Sequence, residues 1–332
     1  MRNNSEATKF TIKETQIAIK SLKDYFERDL ANTLNLTRVS APLFVRPETG
    51  LNDNLSGVEK AVSFKLRKYD IDVEIVQSLA KWKRNALKAY GFDYYEGLYT
   101  DMNAIRPDEE LDAIHSIYVD QWDWEKVIRK EDRTDAYLHF IVSEIYSVFL
   151  RTETYINSVY PNILSRKLPS SIYFMTAQEL EDKYPDLSPK DREYAICREK
   201  KAVFLQGIGK ELAGGAPHDG RSPDYDDWDL NGDILFYNPT TDSVIELSSM
   251  GIRVDEASLM RQLELAGETD RLKMKYHMDL LSGELPYTVG GGIGQSRICM
   301  FFLEKKSIAE VQASVWPEDF LLESKLRGED VL

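Results

Sequence analysis

The sequence predicts an α+β fold, in which helices flank a mixed or mainly antiparallel sheet. Strand-like runs often follow one another directly, with the helices grouped between them, whereas strict alternation would favour a parallel sheet. The 332 residues are 42% apolar and 30% charged, so they can bury a substantial core beneath a solvated surface. We expect one domain over residues 1–332.

Composition argues against several classes of function. The formal charge is -14, which argues against non-specific binding to nucleic acid because such binding depends on basic surfaces. The two cysteines, Cys197 and Cys299, cannot form a disulfide framework or a zinc ribbon, and they suit a reducing cytosol. The N-terminus lacks the apolar region of a signal peptide, and no apolar run is long enough to span a bilayer. We therefore expect a cytoplasmic protein that binds neither nucleic acid nor membranes.

The first elements are a helix and a strand. An amphipathic helix is predicted over residues 12–34, where apolar residues such as Leu22 and Phe26 recur every three or four positions. A strand is predicted over Leu36–Val45. It carries Pro42, which cannot donate to a sheet ladder, so we expect this strand at an edge or an interface.

The remaining elements follow from the same patterns of apolar spacing. Strands are predicted at Asp72–Gln77, Gly97–Ile105, Ile114–Trp124, Asp233–Tyr237, Ser243–Ile252 and Pro286–Gly294. Helices are predicted at Leu79–Ala89, Asp135–Tyr155, Ala177–Lys183, Pro189–Lys200, Asp255–Leu265, Asp270–Leu281 and Ser296–Glu304. The segment Gly207–Asp229, rich in glycine, proline and aspartate, is predicted to be a loop that covers a site.

Several common catalytic motifs are missing from the sequence. There is no GxxxxGK[ST] phosphate loop and no GxSxG nucleophile elbow, and the glycine run Gly290–Gly294 does not satisfy GxGxxG. The four histidines show no metal-ligand spacing. The sequence therefore gives little support to a Rossmann site or to a serine or cysteine nucleophile.

The glycine run is itself the first functional motif. It holds four glycines in five residues and leads into Arg297. A strand without side chains lets a flat ligand lie close to its backbone. The guanidinium of Arg297 can stack on a base or reach a terminal phosphate. This pattern favours a nucleotide site over the alternative, a sheet corner with a solvated arginine.

A second motif begins at Arg106, where a predicted strand ends beside a hairpin. Its guanidinium could hold an α-phosphate through two hydrogen bonds. In the return strand, alternation places Gln121 and Asp123 on one face and Trp122 and Trp124 on the other. The polar pair predicts a polar ligand above the sheet, and the tryptophans predict packing in the core.

The third motif is the acidic stretch Asp224–Asp233. It matches only part of a calcium-binding loop, because its twelfth position is Asn238 instead of a glutamate and a strand follows. We expect Asp233 to bind magnesium. Other aspartates in the stretch are candidates to capture a substrate ammonium, and some are only solvated.

The fourth motif is the strand that carries Glu246, Ser248 and Arg253. Glu246 and Ser248 share a face, whereas Arg253 reaches that face only if a β-bulge lies near Gly251. An inward-facing carboxylate needs a partner, which a magnesium triphosphate would supply. The alternative is a buried Glu246–Arg253 ion pair without a catalytic role.

Two weaker signals complete the set. Asp53, in the loop LNDNLSG, can hold an α-ammonium group. Lys83, one turn into a predicted helix, can point back towards the mouth of the sheet.

Together the motifs resemble ammonia-dependent asparagine synthetases, the aspartate–ammonia ligases of the A type. The resemblance runs from about residue 12 to Pro317. The matching segments occur in order as LNDNLSG, SLAKWKR, RPDE, YVDQWDW, SPDYDDW, LNGDIL, ELSSMGIRV and GGGIGQSR. The chain departs from the family pattern at Asn52, where a glutamine is expected before the aspartate, and in a compact loop at 213–229.

That family in turn resembles class II aminoacyl-tRNA synthetases. The resemblance implies an antiparallel sheet of about eight strands flanked by helices, which lies within ordinary sheet sizes. It also implies a homodimer that forms through the first helix and the Pro42 strand. Arg106 and Arg297 stand where that class has its phosphate-binding arginines.

The resemblance implies a two-step reaction with ATP, L-aspartate and ammonia as substrates. ATP and L-aspartate give β-aspartyl-AMP and pyrophosphate, and ammonia then displaces AMP to give L-asparagine. Mg²⁺ on Asp233 and Glu246, together with arginines, would offset the repulsion between the anionic substrates. Adenylation otherwise needs mainly positioning.

The resemblance also assigns roles to residues in the matching motifs. The catalytic residues are Arg106, Lys83, Asp226 and Arg297. Aspartate or asparagine is bound by Asp53, Ser78, Lys83, Gln121, Asp123, Arg221, Asp226, Ser249 and Arg253. The nucleotide is bound by Arg106, Ile114, Glu246, Ser248, Gly294 and Arg297. Asp226 is also the candidate to accept a proton from the incoming ammonium.

Free ammonia is the predicted nitrogen source. Glutamine-hydrolysing enzymes use a nucleophilic cysteine, often at the mature N-terminus, whereas Cys197 and Cys299 lie in contexts typical of packing residues. Two alternatives stay open. One is a synthetase acting on tRNA, which the net charge disfavours, and the other is a non-catalytic protein with this fold. The presence of Arg106, Glu246 and Arg297 argues against the second.

Overall fold

The structure of the chain is a computed structural model that describes residues 10–53, 55, 60–161 and 163–332. Three residues of the LNDNLSG loop, Asn54, Ser56 and Gly57, lie outside the described residues, as do the first nine residues. The predictions that concern these positions are therefore not tested by it.

The described strands form two sheets. In chain order they are β1 Leu36–Arg38, β2 Phe44–Val45, β3 Ser63–Leu66, β4 Ile71–Ile75, β5 Gly97–Ile105, β6 Tyr118–Val127, β7 Tyr173–Thr176, β8 Ala202–Gln206, β9 Asp226–Asn238, β10 Ser243–Arg253 and β11 Thr288–Gly294. The main sheet has eight strands in the order β1-β5-β6-β11-β10-β9-β8-β7, and the small antiparallel sheet has the order β2-β4-β3.

Helices surround the main sheet. The described α-helices are α1 Ile12–Leu34, α2 Ala80–Tyr90, α3 Asp135–Val159, α4 Ala177–Lys183, α5 Pro189–Lys200, α6 Glu256–Ala266, α7 Lys275–Leu281, α8 Gln295–Phe302 and α9 Glu318–Leu326. Short 3-10 helices lie at Pro47–Thr49, Lys130–Asp132, Thr269–Lys273 and Ile308–Glu310. Among the residues that the structure describes, no helix has the length and apolar character needed to cross a bilayer.

The main sheet is mainly antiparallel with two parallel pairs, which confirms the predicted mixed or mainly antiparallel sheet of about eight strands. The two outer pairs, β1 with β5 and β7 with β8, are parallel, and the inner pairs are antiparallel. Parallel neighbours need a crossover connection. Here the small sheet and α2 separate β1 from β5, and α4 and α5 separate β7 from β8.

Several predicted boundaries were wrong. Leu36–Val45 is not one strand, because β1 pairs in the main sheet and β2 in the small one, and Pro42 lies between them. The return strand begins at Tyr118, four residues later than predicted, and β9 begins inside the segment predicted as a loop. The strands β3, β7 and β8 and the helix α9 were not predicted.

The ends and the buried face of helix α1 follow from its sequence. Thr11 and Glu14 make a capping box at its start, and Asn35 ends it in the left-handed conformation. Its apolar stripe is buried, and Phe26 stacks on Trp122 with ring centroids 4.9 Å apart.

The core lies on one face of the sheet and leaves the other face for a site. Trp122 and Trp124 are fully buried in the main hydrophobic cluster, as their parity in β6 predicted. Gln121 and Asp123 lie on the opposite face and line a cavity.

Candidate active site

A cavity of about 300 Å³ lies over the middle strands of the main sheet. It is lined by every predicted site residue except one: Asp53, Ser78, Lys83, Arg106, Ile114, Gln121, Asp123, Arg221, Asp226, Glu246, Ser248, Ser249, Arg253, Gly294 and Arg297. Asp233 is the exception. The structure thus brings the predicted set together, and the individual roles remain predictions.

The floor of the cavity is the pair formed by β6 and β11. Gly292 lies opposite Asp123 in this pair, and a Cβ on Gly292 would collide with the amide oxygen of Gln121. Gly291 would place a Cβ 2.5 Å from the Cβ of Met250. The glycines therefore keep β11 close to its neighbours and keep side chains out of the cavity.

Lys83 links α2 to this floor. Its fully buried ammonium donates to Asp123 and to the backbone oxygens of Trp124 and Gly291, each at 3.0 Å. Burial lowers the pKa of Lys83, although Asp123 and Glu125 oppose that shift. The Lys83 ammonium therefore makes three hydrogen bonds at the cavity floor, one to a carboxylate and two to backbone oxygens.

A β-bulge turns Arg253 towards the cavity. The pairing of β10 with β9 shifts register between Gly251 and Arg253, which confirms the bulge that the parity argument required. The guanidinium of Arg253 donates to Asp226 and, at 2.8 Å and 3.0 Å, to Glu125. It therefore pairs with these two carboxylates instead of with Glu246, so the alternative Glu246–Arg253 ion pair was wrong.

Glu125 is a buried residue of the site that the motif analysis missed. Burial alone would raise its pKa, but Arg253 and Lys83 hold the pKa of Glu125 below its ordinary value. It has the same parity in β6 as Gln121 and Asp123, so strand alternation could have identified it.

Two arginines with incomplete hydrogen bonding meet the cavity. The buried Nε of Arg106 has no partner in the described part of the chain, and its Nη2 makes only a 3.4 Å bond to the backbone oxygen of Gln77. Arg297 donates to the backbone oxygens of Ile114 at 3.3 Å and Glu246 at 3.0 Å. Both guanidiniums therefore keep donors that suit an anionic ligand.

Arg221 connects the covering loop to the sheet. It donates to the hydroxyl of Ser249 and, at 2.6 Å, to Asp233. Asp233 lies behind this arginine and not on the cavity wall. Burial and the neighbouring charge of Glu246 raise the pKa of Asp233 to about 6, despite Arg221.

Other residues line the cavity without having been assigned a role: Glu109, His115, Asp120, Tyr225 and Gln312. Glu109 and Tyr225 belong to the same sequence motifs as Arg106 and Asp226. Their closeness in sequence to these two residues could have identified them. Asp120 accepts hydrogen bonds from the backbone and hydroxyl of Ser296, at the start of α8.

Solved structures resemble this fold at low sequence identity. The asparaginyl-tRNA synthetase of Entamoeba histolytica has a TM-score of 0.63 at 14% identity and covers 91% of this chain and 67% of its own. The asparaginyl-tRNA synthetase of Pyrococcus horikoshii complexed with asparaginyl-adenylate has a TM-score of 0.61 at 16% identity and covers 91% and 70%. These likenesses show the class II synthetase-like fold.

Sequence comparisons identify the family. The family model for aspartate–ammonia ligase matches residues 13–327. The aspartate–ammonia ligase of Ruminiclostridium cellulolyticum is 63% identical over 313 residues, which cover 94% of this chain and 93% of that protein. The aspartate–ammonia ligase of Bacillus cereus is 58% identical over 309 residues, covering 93% and 94%. On the match over residues 13–327, the motifs and the cavity, the chain belongs to the aspartate–ammonia ligase family.

Proposed function

We propose that this ligase joins L-aspartate and ammonia through an acyl-adenylate, with ATP as the activating substrate. A β-carboxylate oxygen of aspartate attacks the α-phosphorus of ATP, which forms β-aspartyl-AMP and releases pyrophosphate. Ammonia then attacks the β-acyl carbon, the bond to AMP breaks, and L-asparagine forms. The observation that carries the proposal is one cavity in which four guanidiniums, carboxylates and a glycine floor meet.

The fold relatives support the adenylate route. The P. horikoshii asparaginyl-tRNA synthetase, which has this fold, is a complex with asparaginyl-adenylate. β-Aspartyl-AMP is an acyl-adenylate of similar size that carries one additional carboxylate. A scaffold of this class can therefore hold such an intermediate.

We assign the nucleotide to Arg106, Ile114, Ser248, Gly294 and Arg297. The spare donors of Arg106 and Arg297 would bind phosphate oxygens and stabilise the charge that shifts onto pyrophosphate. Ile114 supplies an apolar contact for adenine.

We assign the binding of aspartate to a second group of charged and polar residues that line the cavity. Asp53 and Asp226 would hold the α-ammonium. Ser78, Lys83, Gln121 and Arg221 would hold the carboxylates or the acyl phosphate. Asp123, Ser249 and Arg253 complete the aspartate site, and each contacts one of these groups.

Glu246, on the cavity wall, and Asp233, which pairs with Arg221 behind it, are the carboxylates that would hold a magnesium ion shared with the triphosphate. Burial and the charge of Glu246 raise the pKa of Asp233 to about 6, and a divalent cation would stabilise both carboxylates. No cluster of three carboxylate, histidine or cysteine ligands occurs in the described ranges. Mg²⁺ typically takes one or two carboxylates and completes its shell with phosphates and water. Bound there, it would neutralise phosphate charge.

We propose Asp226 as the proton acceptor for the ammonia step. Its carboxylate contacts Arg253 and lies 3.8 Å from Arg221. A carboxylate in this position can take the proton that an ammonium must lose before its nitrogen attacks.

We further propose that the enzyme is a cytoplasmic homodimer. The dimer is supported by helix α1, which leaves Ile12 and Ile17 about half exposed, at 49% and 52%. The cytoplasmic location is supported by the two cysteines, which are buried and unpaired. Light scattering should give twice the chain mass of 38.2 kDa. A single-chain mass would contradict the dimer.

Product analysis tests the reaction. Purified protein with L-aspartate, ATP, Mg²⁺ and ammonium chloride, but no tRNA, should form asparagine, AMP and pyrophosphate in equal amounts. Glutamine in place of ammonium should give no asparagine. ADP and phosphate as products would contradict the adenylate route, and a requirement for tRNA would favour the synthetase alternative.

A further inference from the structure

A buried charge cluster lies beside the cavity, and the assignment above gives it no role. Asp224 is fully buried. It accepts hydrogen bonds from Lys81 at 3.0 Å, Arg271 at 3.2 Å and Ser222 at 2.9 Å, and the Nε2 of His277 lies 3.0 Å away. These partners come from α2, from the 3-10 helix before α7, from the covering loop and from α7 itself. One carboxylate therefore joins four segments.

The cluster holds two parts of the cavity wall. Lys81 directly follows Ala80 and lies two residues before Lys83, both of which line the cavity, and Asp224 directly precedes Tyr225, which also lines it. The Lys81–Asp224 bond thus fixes the first turn of α2 against the start of β9. Because a buried ion pair is a poor source of stability compared with apolar packing, stability alone does not account for this arrangement.

The cavity residue beside the cluster is Asp53. It is 2% exposed and also lines a second cavity of about 530 Å³, which Arg271 borders. Burial raises the pKa of Asp53. Lys81 opposes this rise, Asp224 adds to it, and Arg106 also opposes it. Tyr225, from the covering loop, is a further titratable group that faces Asp53.

We propose that Lys81 and Asp224 are positioning residues for the amino group of L-aspartate. Asp224 fixes Lys81 on the first turn of α2, whose Ala80 lines the same cavity as Asp53, and the Lys81 ammonium there favours the negative charge of Asp53. At the same time Asp224 occupies Lys81, so the Asp53 carboxylate stays available for the substrate's α-ammonium. This inference rests on the proposed role of Asp53.

The variant Lys81→Met tests the charge. Without this cation Asp53 holds its proton to higher pH, so the KM for aspartate at neutral pH should rise about tenfold or more. The acid limb of kcat/KM for aspartate should move to higher pH, while the KM for ATP stays within about twofold. Lys81→Arg keeps the charge and should restore most of the affinity and the original acid limb.

The variant Asp224→Asn tests the restraint. Lys81 is then free to pair with Asp53 and compete with the substrate amine, so the KM for aspartate should again rise about tenfold. Because both residues act through one pair, the double variant should exceed the larger single effect by no more than about threefold.

A matched control separates position from burial. The side chain of Lys167 is also 3% exposed and lies 3.0 Å from its partner, Glu304, but it does not line the cavity. Lys167→Met should lower the unfolding midpoint and leave the KM for both aspartate and ATP unchanged.

An unchanged KM for aspartate in folded Lys81→Met or Asp224→Asn would overturn the proposal. Should both variants fail to fold, Ser222→Ala removes a single hydrogen bond from Asp224 and should still raise that KM about threefold; wild-type affinity there would equally overturn it. Nucleotide products are measured in the same assays. ADP from the wild-type protein would refute the adenylate route while leaving the KM comparison decisive for this cluster.

Discussion

The two arginines with unused donors are the residues on which phosphate binding should depend. Arg106→Ala and Arg297→Ala should each lower kcat to about 1% or less, because a fixed cation at a reacting phosphate contributes several kcal/mol. Neither guanidinium bridges the core, so circular dichroism and the urea midpoint should stay near those of the wild type. A wild-type rate in either variant would remove that residue from the site.

Lys83 should affect both binding and stability. Lys83→Ala leaves the buried Asp123 without its cation, while Glu125 keeps Arg253, and this loss should cost about 3 kcal/mol of unfolding free energy. The KM for aspartate should rise more than the KM for ATP. Lys20→Ala is the control, since that exposed lysine pairs with Asp24 on the surface of α1. Equal losses for the two substrates would contradict an aspartate role.

The raised pKa of Asp233 predicts that this residue makes the protein less stable as the pH rises. Its pKa rises from 3.8 in the unfolded chain to about 6 in the fold, so the native state holds the extra proton between these values. Stability from this group is therefore present at low pH and lost as pH rises through 6. Urea unfolding should show a contribution about 1 kcal/mol larger at pH 5 than at pH 7.5. Asp233→Asn should abolish that difference, and an unaltered pH dependence would contradict it.

Residue parity explains which side chains could be predicted from the sequence. Alternation along β6 separated Gln121 and Asp123 from the core tryptophans. Arg253 has the opposite parity to Glu246 and Ser248 in β10, which required the bulge that the structure contains. Lys81 was missed because it lies on a different side of α2 from Lys83 and its partner, Asp224, is 143 residues away. No local pattern carries a contact of that range.

At the scale of the element, two glycines of strand β11 should have different functions: Gly292 keeps the cavity open, and Gly291 lets β11 pack against β10. Gly292→Ala points a methyl at the flexible end of Gln121, so the protein should fold, while the KM for aspartate rises about tenfold as the cavity fills. Gly291→Ala instead meets the backbone oxygen of Ser249 at 2.8 Å. It should lower the unfolding free energy by about 2 kcal/mol, because the sheet itself must move.

Steady-state kinetics and urea unfolding on the same two variants check this contrast. A Gly292→Ala protein with unchanged affinity for aspartate would show that the glycine floor does not border the ligand.

The long helices were predictable as elements, whereas the edges of the sheet were not. Apolar spacing in the sequence predicted α1, α3 and α5. β3 and β7 have only four residues each, and β8 is buried at every position, so none shows a clear two-residue alternation. The division of 36–45 between two sheets depends on partners, β5 and β4, that lie far along the chain.

At the scale of the whole molecule, the site is a product of topology. Lys83 reaches the backbone of Gly291 across 208 positions of sequence, and Arg221 in the covering loop reaches β9 and β10. The sequence supplied the residues, and only the resemblance to a family predicted that they share one cavity. The mixed eight-stranded sheet brings them there by placing β6, β11 and β10 side by side.

The central claim concerns the whole reaction: aspartate is activated by transfer of AMP to its β-carboxylate. Aspartate labelled with ¹⁸O in that carboxylate, incubated with the enzyme, MgATP and ammonium, provides the most direct measurement. The account predicts that mass spectrometry of the products finds one labelled oxygen in the phosphate of AMP and none in pyrophosphate. Label in inorganic phosphate, together with ADP, would contradict it, because the acyl group would then have been activated at the γ-phosphate.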